Sequence, residues 1–378
     1  MKKLVFIMLF GLLLCGCTKE SEEDVLKDFK NKVNNVKSYK IEGTMEISND
    51  EETFTYSLES YYLKDNYYKV ILVNQTNNHE QIILKNNSDI YVITPALNKS
   101  FKFQSEWPGN SSQAYLLGSL INDIANDSKV ELQNTEKGYI IKSKVNYPNN
   151  EELTYQKIYL NSKKDVEKVE VFNNKDIVKI KVSYNNMDLK ANLTEKNFKL
   201  DDYIKENKTE NEEVKDSKET CEENSEQIDC NTENSNNNEE IAKETDKTET
   251  EENKIDSSKN TANIENIIYP LYIPSNTYLT SSETIETNNG NRVILTFSGE
   301  KNFVLIEEKT VAKNEMEIVP VYGEPLLLSE SIGALSANSL SWDANNISYY
   351  LASTELSTQE MQTIANSLGN ATLVNSTK

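Results

Sequence analysis

The stretch Tyr91-Val-Ile-Thr-Pro-Ala-Leu-Asn-Lys-Ser-Phe-Lys-Phe-Gln-Ser-Glu-Trp-Pro-Gly-Asn110 decides how the first half of this chain folds. β-branched and aromatic residues run to Thr94, Pro95 interrupts them, and Ser100–Gln104 resumes the pattern. Trp107-Pro108 then turns the chain into Asn110-Ser-Ser-Gln113, which can cap a helix whose apolar positions are Tyr115, Leu116, Leu120, Ile121 and Ile124. Strand, turn, strand, turn and helix in this order describe a sheet with a helix lying on it. Two readings of the aromatic residues stand side by side. Phe101, Phe103 and Trp107 can be ordinary core. Alternatively Trp107, Tyr115 and Leu116 form the mouth of an apolar concavity under the helix, with Phe101, Phe103 and Leu120 contributing to it as a cavity or partner-binding surface.

Outward from this stretch the same grammar repeats. Ser21-Glu-Glu-Asp24 reads as a capping box before an amphipathic helix carrying Val25, Phe29, Val33 and Val36. Runs rich in Tyr, Ile, Val and Thr follow at 39–47, 53–63, 67–73, 80–84 and 89–93, and again at 139–145, 154–160, 166–172, 177–184 and 188–193. Asn, Asp, Lys and Gly clusters separate them, as in an antiparallel meander. Residues 17–204 therefore form one module, a large sheet with a few helices.

A second module, 263–378, begins at Tyr269-Pro-Leu-Tyr-Ile-Pro274, where two prolines favour extended, edge-like chain. Asn289-Gly290 is a hairpin signal, Trp342-Asp-Ala-Asn-Asn346 reads as strand, turn and strand, and Ser357-Thr-Gln-Glu360 caps a helix expected to end at Gly369. This is a small α+β domain. Between the modules, residues 205–262 hold 19 acidic residues against 8 lysines and no aromatic side chain. Such a segment cannot bury enough apolar surface to offset chain entropy, so an acidic disordered linker is expected, long enough that the modules need not touch. The formal charge of −21 argues against nucleic acid as a partner.

At the N-terminus, Lys2 and Lys3 precede an apolar run, Leu4 to Leu14, too short to span a bilayer. Leu14-Cys15-Gly16-Cys17 resembles the bacterial lipobox, in which cleavage precedes a diacylglyceryl cysteine. Residues 1–16 are then a lipoprotein signal peptide and Cys17 the lipidated first residue of a protein held on the outer face of the cytoplasmic membrane. A plain cleavage site and a Cys-x-Cys metal pair are the competing readings, the latter short of further ligands.

Catalytic chemistry has little to work with. His79, in the polar turn Asn77-Asn-His-Glu80, reads as an exposed hairpin histidine. Cys221 and Cys230 sit in negative surroundings, which do not activate a thiol; outside the cytoplasm they can close a local disulfide or have no function. No phosphate loop, nucleophile elbow or zinc-protease helix is present, and neither enzyme activity, metal nor cofactor is expected.

With the lipobox, the opening helix, the meander, "TPALNKSFKF" and "SEWPGNSSQAYLL" together, the first module resembles the LolA-like superfamily, and within it the lipoproteins of Gram-positive spore formers of the germination-lipoprotein GerS type. Through "YPLYIP", "LSWDANNISYYLAS" and "LSTQEMQTIANSL" the second is similar to the small domain that follows such modules in YdcC-type and RseB-type proteins. The resemblance implies a half-open antiparallel β-barrel with a helical lid and no enzymatic activity. It implies a membrane-tethered protein, on the spore membrane if specific to sporulation, that binds a protein partner, such as a spore-cortex amidase, and supports sporulation or germination. A LolA-like carrier of lipid or lipoprotein acyl chains and an RseB-like envelope sensor are the alternatives it leaves open.

Overall fold

The computed structural model describes residues 20–49, 52–87, 89–204, 263–288 and 290–375, with side chains in the last helix as far as Leu368. The signal segment 1–16, Cys17, and the acidic segment 205–262 with Cys221 and Cys230 lie outside the described residues.

Helix α1, Glu22–Asn34, starts as its sequence prescribes: the Ser21 hydroxyl accepts the Asp24 N–H at 3.2 Å, and acidic residues fill the first turn, where the helix dipole favours them. Its buried residues, Val25 and Phe29, point at the sheet. Six strands follow as a meander: β1 Ser38–Ser48, β2 Thr53–Leu63, β3 Tyr67–Asn74, β4 Glu80–Asn86, β5 Asp89–Thr94 and β6 Lys99–Phe103. Helix α2, Leu117–Asn126, crosses over, and five more strands complete the module: β7 Glu131–Asn134, β8 Gly138–Lys144, β9 Leu153–Asn161, β10 Val166–Asn173 and β11 Val178–Asp188. Strand β11 returns to pair antiparallel with β1, so the two meanders join at the middle of one sheet. At the bulge between Glu42 and Gly43 the strands approach so closely that a Cβ on Gly43 would lie 2.2 Å from the Ser183 carbonyl oxygen, which requires glycine.

Burial alternates along β1 and β2, and Ile41, Met45, Leu58, Val70, Val92 and Phe103 line the concave face beneath α1 and α2. Each such side chain contributes about 1.5–3 kcal/mol by leaving water. Strands β4 and β5 are buried on both faces, because Phe198 and the two 3₁₀ turns of 195–203 cover Ile82, Leu84, Tyr91 and Ile93 from the convex side. The sheet does not close on itself, which makes the module a half-open barrel.

The second module contains β12 Thr277–Thr287, β13 Gly290–Gly299, β14 Phe303–Lys309, β15 Glu317–Val321, β16 Gly323–Leu327, β17 Ile332–Ser336, β18 Ser339–Ala344, β19 Ile347–Ala352 and helix α3, Thr358–Asn375. Among the described residues its own sheet has seven strands in the order β12-β13-β14-β19-β18-β17-β16. Met361, Ile364 and Leu368 of α3 pack on Phe297, Leu305 and Trp342. Strand β15 leaves that sheet and pairs parallel with β6, Glu317 opposite Lys99 and Val321 opposite Phe103, becoming the twelfth strand of the first module's sheet.

That pairing corrects the expectation that the modules need not touch. Ile332 and Ala334 of β17 belong to the first module's core, and the two modules form one compact unit. The physical reason is the open edge of β6, whose free backbone groups β15 satisfies. Four smaller expectations are also corrected. Residues 189–193 of the expected strand 188–193 form none, because the Asp188 carboxylate accepts the Lys190 N–H at 2.9 Å and turns the chain. Helix α2 starts at Leu117 without a side-chain cap, since the Ser112 hydroxyl is used elsewhere. The Tyr269–Pro274 stretch joins no strand, and α3 continues past Gly369 to Asn375, glycine inside a helix costing only about 1 kcal/mol.

Candidate functional site: a cleft where the two modules meet

The turn after β6 is fixed from below. Lys85, buried on the concave side of β4, donates to the Trp107 carbonyl at 2.5 Å, and burial holds its pKa below the ordinary lysine value. The Trp107 N–H is received by the Ser105 hydroxyl at 3.0 Å, and the indole meets the Tyr68 ring edge-on at 5.9 Å. The Trp107–Pro108 peptide is cis. Beyond it, Ser112 receives the Asn146 N–H and donates its hydroxyl to Asp123 at 2.8 Å, while Gln156 donates to the other carboxylate oxygen at 2.9 Å. Burial raises the Asp123 pKa to about 6 against these two donors. The Tyr184 hydroxyl fixes the Ala114 carbonyl at 2.7 Å, so the segment carrying Ala114 and Tyr115 is tied to the sheet on both sides.

The opposite wall comes from the second module, held at backbone level. Gln81 of β4 accepts the Ile332 N–H at 2.5 Å and donates to the Ile332 carbonyl at 3.3 Å; the Tyr56 hydroxyl donates to the Ser329 carbonyl at 2.5 Å. Glu324 receives the side-chain amides of Asn110 and Asn149, and the buried Asp343 carboxylate receives Lys99 at 2.9 and 3.0 Å. From α3, Gln362 donates to the Leu327 carbonyl at 2.9 Å and Asn366 accepts the Ser329 N–H at 2.9 Å.

Between these walls lies a cleft of about 480 Å³. Trp107, Ala114, Tyr115 and Tyr147 line one side, Leu326 to Ser329 and Ile332 the other, and amides of Gln113, Asn149, Asn150, Gln359, Gln362 and Asn366 stand around it. Burial pushes the Tyr115 and Tyr147 hydroxyls far up, so both rings act as neutral hydrogen-bonding aromatics.

Of the residues the sequence singled out, Trp107 and Tyr115 line the cleft. Phe101, Phe103, Leu116 and Leu120 sit in the core and do not line it. His79 is not the exposed hairpin residue its polar turn suggested. It is half-buried, with Nε2 enclosed and unpartnered, and burial lowers its pKa against the pull of the Asp343 carboxylate, because the second module packs beside the β3–β4 turn. The second module's wall had no advance signal beyond the apolar run Leu326-Leu-Leu328.

A model of the sporulation protein YdcC-like family matches residues 1–198. The chain is also 33% identical over 371 residues to sporulation protein YdcC of Bacillus subtilis (strain 168), covering 97% of each. It belongs to the YdcC-like family. Among solved structures it is similar to the Pseudomonas aeruginosa MucA/MucB complex at 9% identity and TM-score 0.29, covering 90% of this chain and 97% of that one. It is similar to the CwlD amidase from Clostridioides difficile in complex with the GerS lipoprotein at 17% and 0.27, covering 45% and 97%. A LolA superfamily protein from Nitrosomonas europaea follows at 12% and 0.28, covering 48% and 99%.

Proposed function

We propose that the protein is a lipid-anchored, non-catalytic envelope protein that supports sporulation or germination by binding a protein partner in the cleft between its modules. The sporulation role rests on family membership and on the extended identity to the Bacillus subtilis protein. The observation that carries the binding role is the amide-lined wall of the cleft. Several of these amides already bond within the protein, but the buried Asn150 Oδ1 has no partner among the described residues. An acyl chain would leave such a group unpaired, at about 1–3 kcal/mol for each one shut away from water, whereas a peptide backbone can donate to it. Anchoring is assigned to Cys17, and the outer face of the cytoplasmic membrane is the place it implies.

Deleting the gene should leave vegetative growth intact and impair spore formation or germination; normal spores would overturn the role. Restoring the gene with paired substitutions Gln359→Ala and Thr363→Ala, which change the cleft wall on α3, should rescue poorly while the protein accumulates normally. Native mass spectrometry of detergent-free protein separates the acyl-carrier reading, since a bound lipid would assign the cleft to it instead. Cys17→Ala should abolish incorporation of labelled fatty acid.

A further inference from the structure

Among the described residues the two sheets present four edges, and three of them are protected. Strand β7 has only four residues, β15 carries Pro320, and β16 is five residues long with Pro325. The fourth, β12, has eleven residues, neither proline nor lysine, and a partner on one side only. From Tyr278 to Glu286 every residue except Ser281 is exposed, Ile285 to 45%. Its bulge lies between Leu279 and Ser281, which leaves Ser281 to Thr287 in regular register against β13.

The charge on this edge is one-signed. Glu283 and Glu286 point to opposite faces of the strand and neither is in an ion pair among the described residues, while neighbouring Arg292 is already engaged by Glu308 at 3.1 Å. A strand laid beside Ser281–Thr287 would place its own side chains about 5 Å from these carboxylates. A second copy of this chain would bring further carboxylates to the same edge, and a basic strand would neutralise them.

We propose that β12 takes up an extended segment of a partner protein as an eighth strand of the second sheet, the segment presenting basic residues to Glu283 and Glu286 and an apolar residue to Ile285. Main-chain hydrogen bonds supply the affinity and the two carboxylates select the sequence. This surface is separate from the cleft, so it stands or falls independently of what binds there.

The test uses the full chain and a labelled synthetic strand, Thr-Lys-Val-Thr-Lys-Val-Thr, which in antiparallel register sets lysines opposite Glu286 and Glu283 and valine opposite Ile285. Hydrogen exchange at residues 281–287 should slow on binding, and glutamates in place of the lysines should weaken binding at least tenfold. The Glu283→Lys, Glu286→Lys double variant should reverse that preference. Protection elsewhere in the chain, equal binding by a strand N-methylated along its backbone, or slowing at 281–287 in the protein alone as its concentration rises would each overturn the proposal.

Discussion

At the scale of single residues, two carboxyl groups are kept where water does not reach. Glu307 of β14 is fully buried, accepts the Ile268 N–H at 3.1 Å, leaves its second oxygen unpartnered among the described residues, and has its pKa pushed up to about 7 by burial. Asp123 is shifted in the same direction, to about 6. Both folded values lie above the unfolded ones, so the folded state prefers the protonated forms. Their stabilising contribution is complete below about pH 4 and is lost as pH rises toward 6 for Asp123 and 7 for Glu307. Glu307→Gln should therefore stabilise the protein by about 1–3 kcal/mol at pH 8 and do little below about pH 5 in denaturant titrations, since a neutral amide carries no ionisation penalty. An equal effect at both pH values would show that the carboxyl is not the source. Trp107→Ala should cost about 3–5 kcal/mol, measured the same way, through the hollow left against Tyr68. The aromatic density around Trp107 was legible in the sequence; its support by Lys85 was not, because a lysine in a strand normally reads as solvent-facing.

Elements with local signals came through from sequence to structure. The Ser21 cap forms and the capping box at Ser357 closes in full, and Asn345 and Asn346 take φ of 50° and 62° in the turn between β18 and β19, where left-handed residues are required. Strand β15 had no such signal. Glu317-Ile-Val-Pro-Val321 is short, interrupted by proline, and finds its partner far away in the chain, a choice that local periodicity does not encode. Its proline suits an outermost strand, which needs no second neighbour. Val319 lies opposite Phe101 and packs against the first core, so Val319→Asp should place a charge there and loosen the union of the modules by about 2–4 kcal/mol. Proteolysis should then cut around 310–322 faster than in the parent protein, and an unchanged cleavage rate would deny β15 this role.

At the scale of the whole molecule, a shared sheet and a shared core bind the modules into one cooperative body. Heating should give a single transition, and fragments 20–204 and 263–378 expressed together from separate genes should copurify. Two independent melts, or fragments that separate on a sizing column, would show that the contact through β15, Gln81 and Asp343 contributes little. The acidic break at 205–262 was visible in the composition, but the cleft was not, because half of its wall exists only once the modules are docked.

The parallel pairing of β15 with β6 also sets a timetable. Glu317 meets Lys99 across more than half of the chain, so β6 leaves the ribosome long before the strand that covers it. Non-local pairings of this kind form late and slowly, after the entropy of closing a long loop has been overcome. Until then the nascent first module carries an uncovered template for foreign strands, and the interval of greatest danger falls between the emergence of Phe103 and that of Val321. Truncations that stop short of residue 317 should accordingly accumulate as aggregates or be degraded, even though every residue of the first module is present.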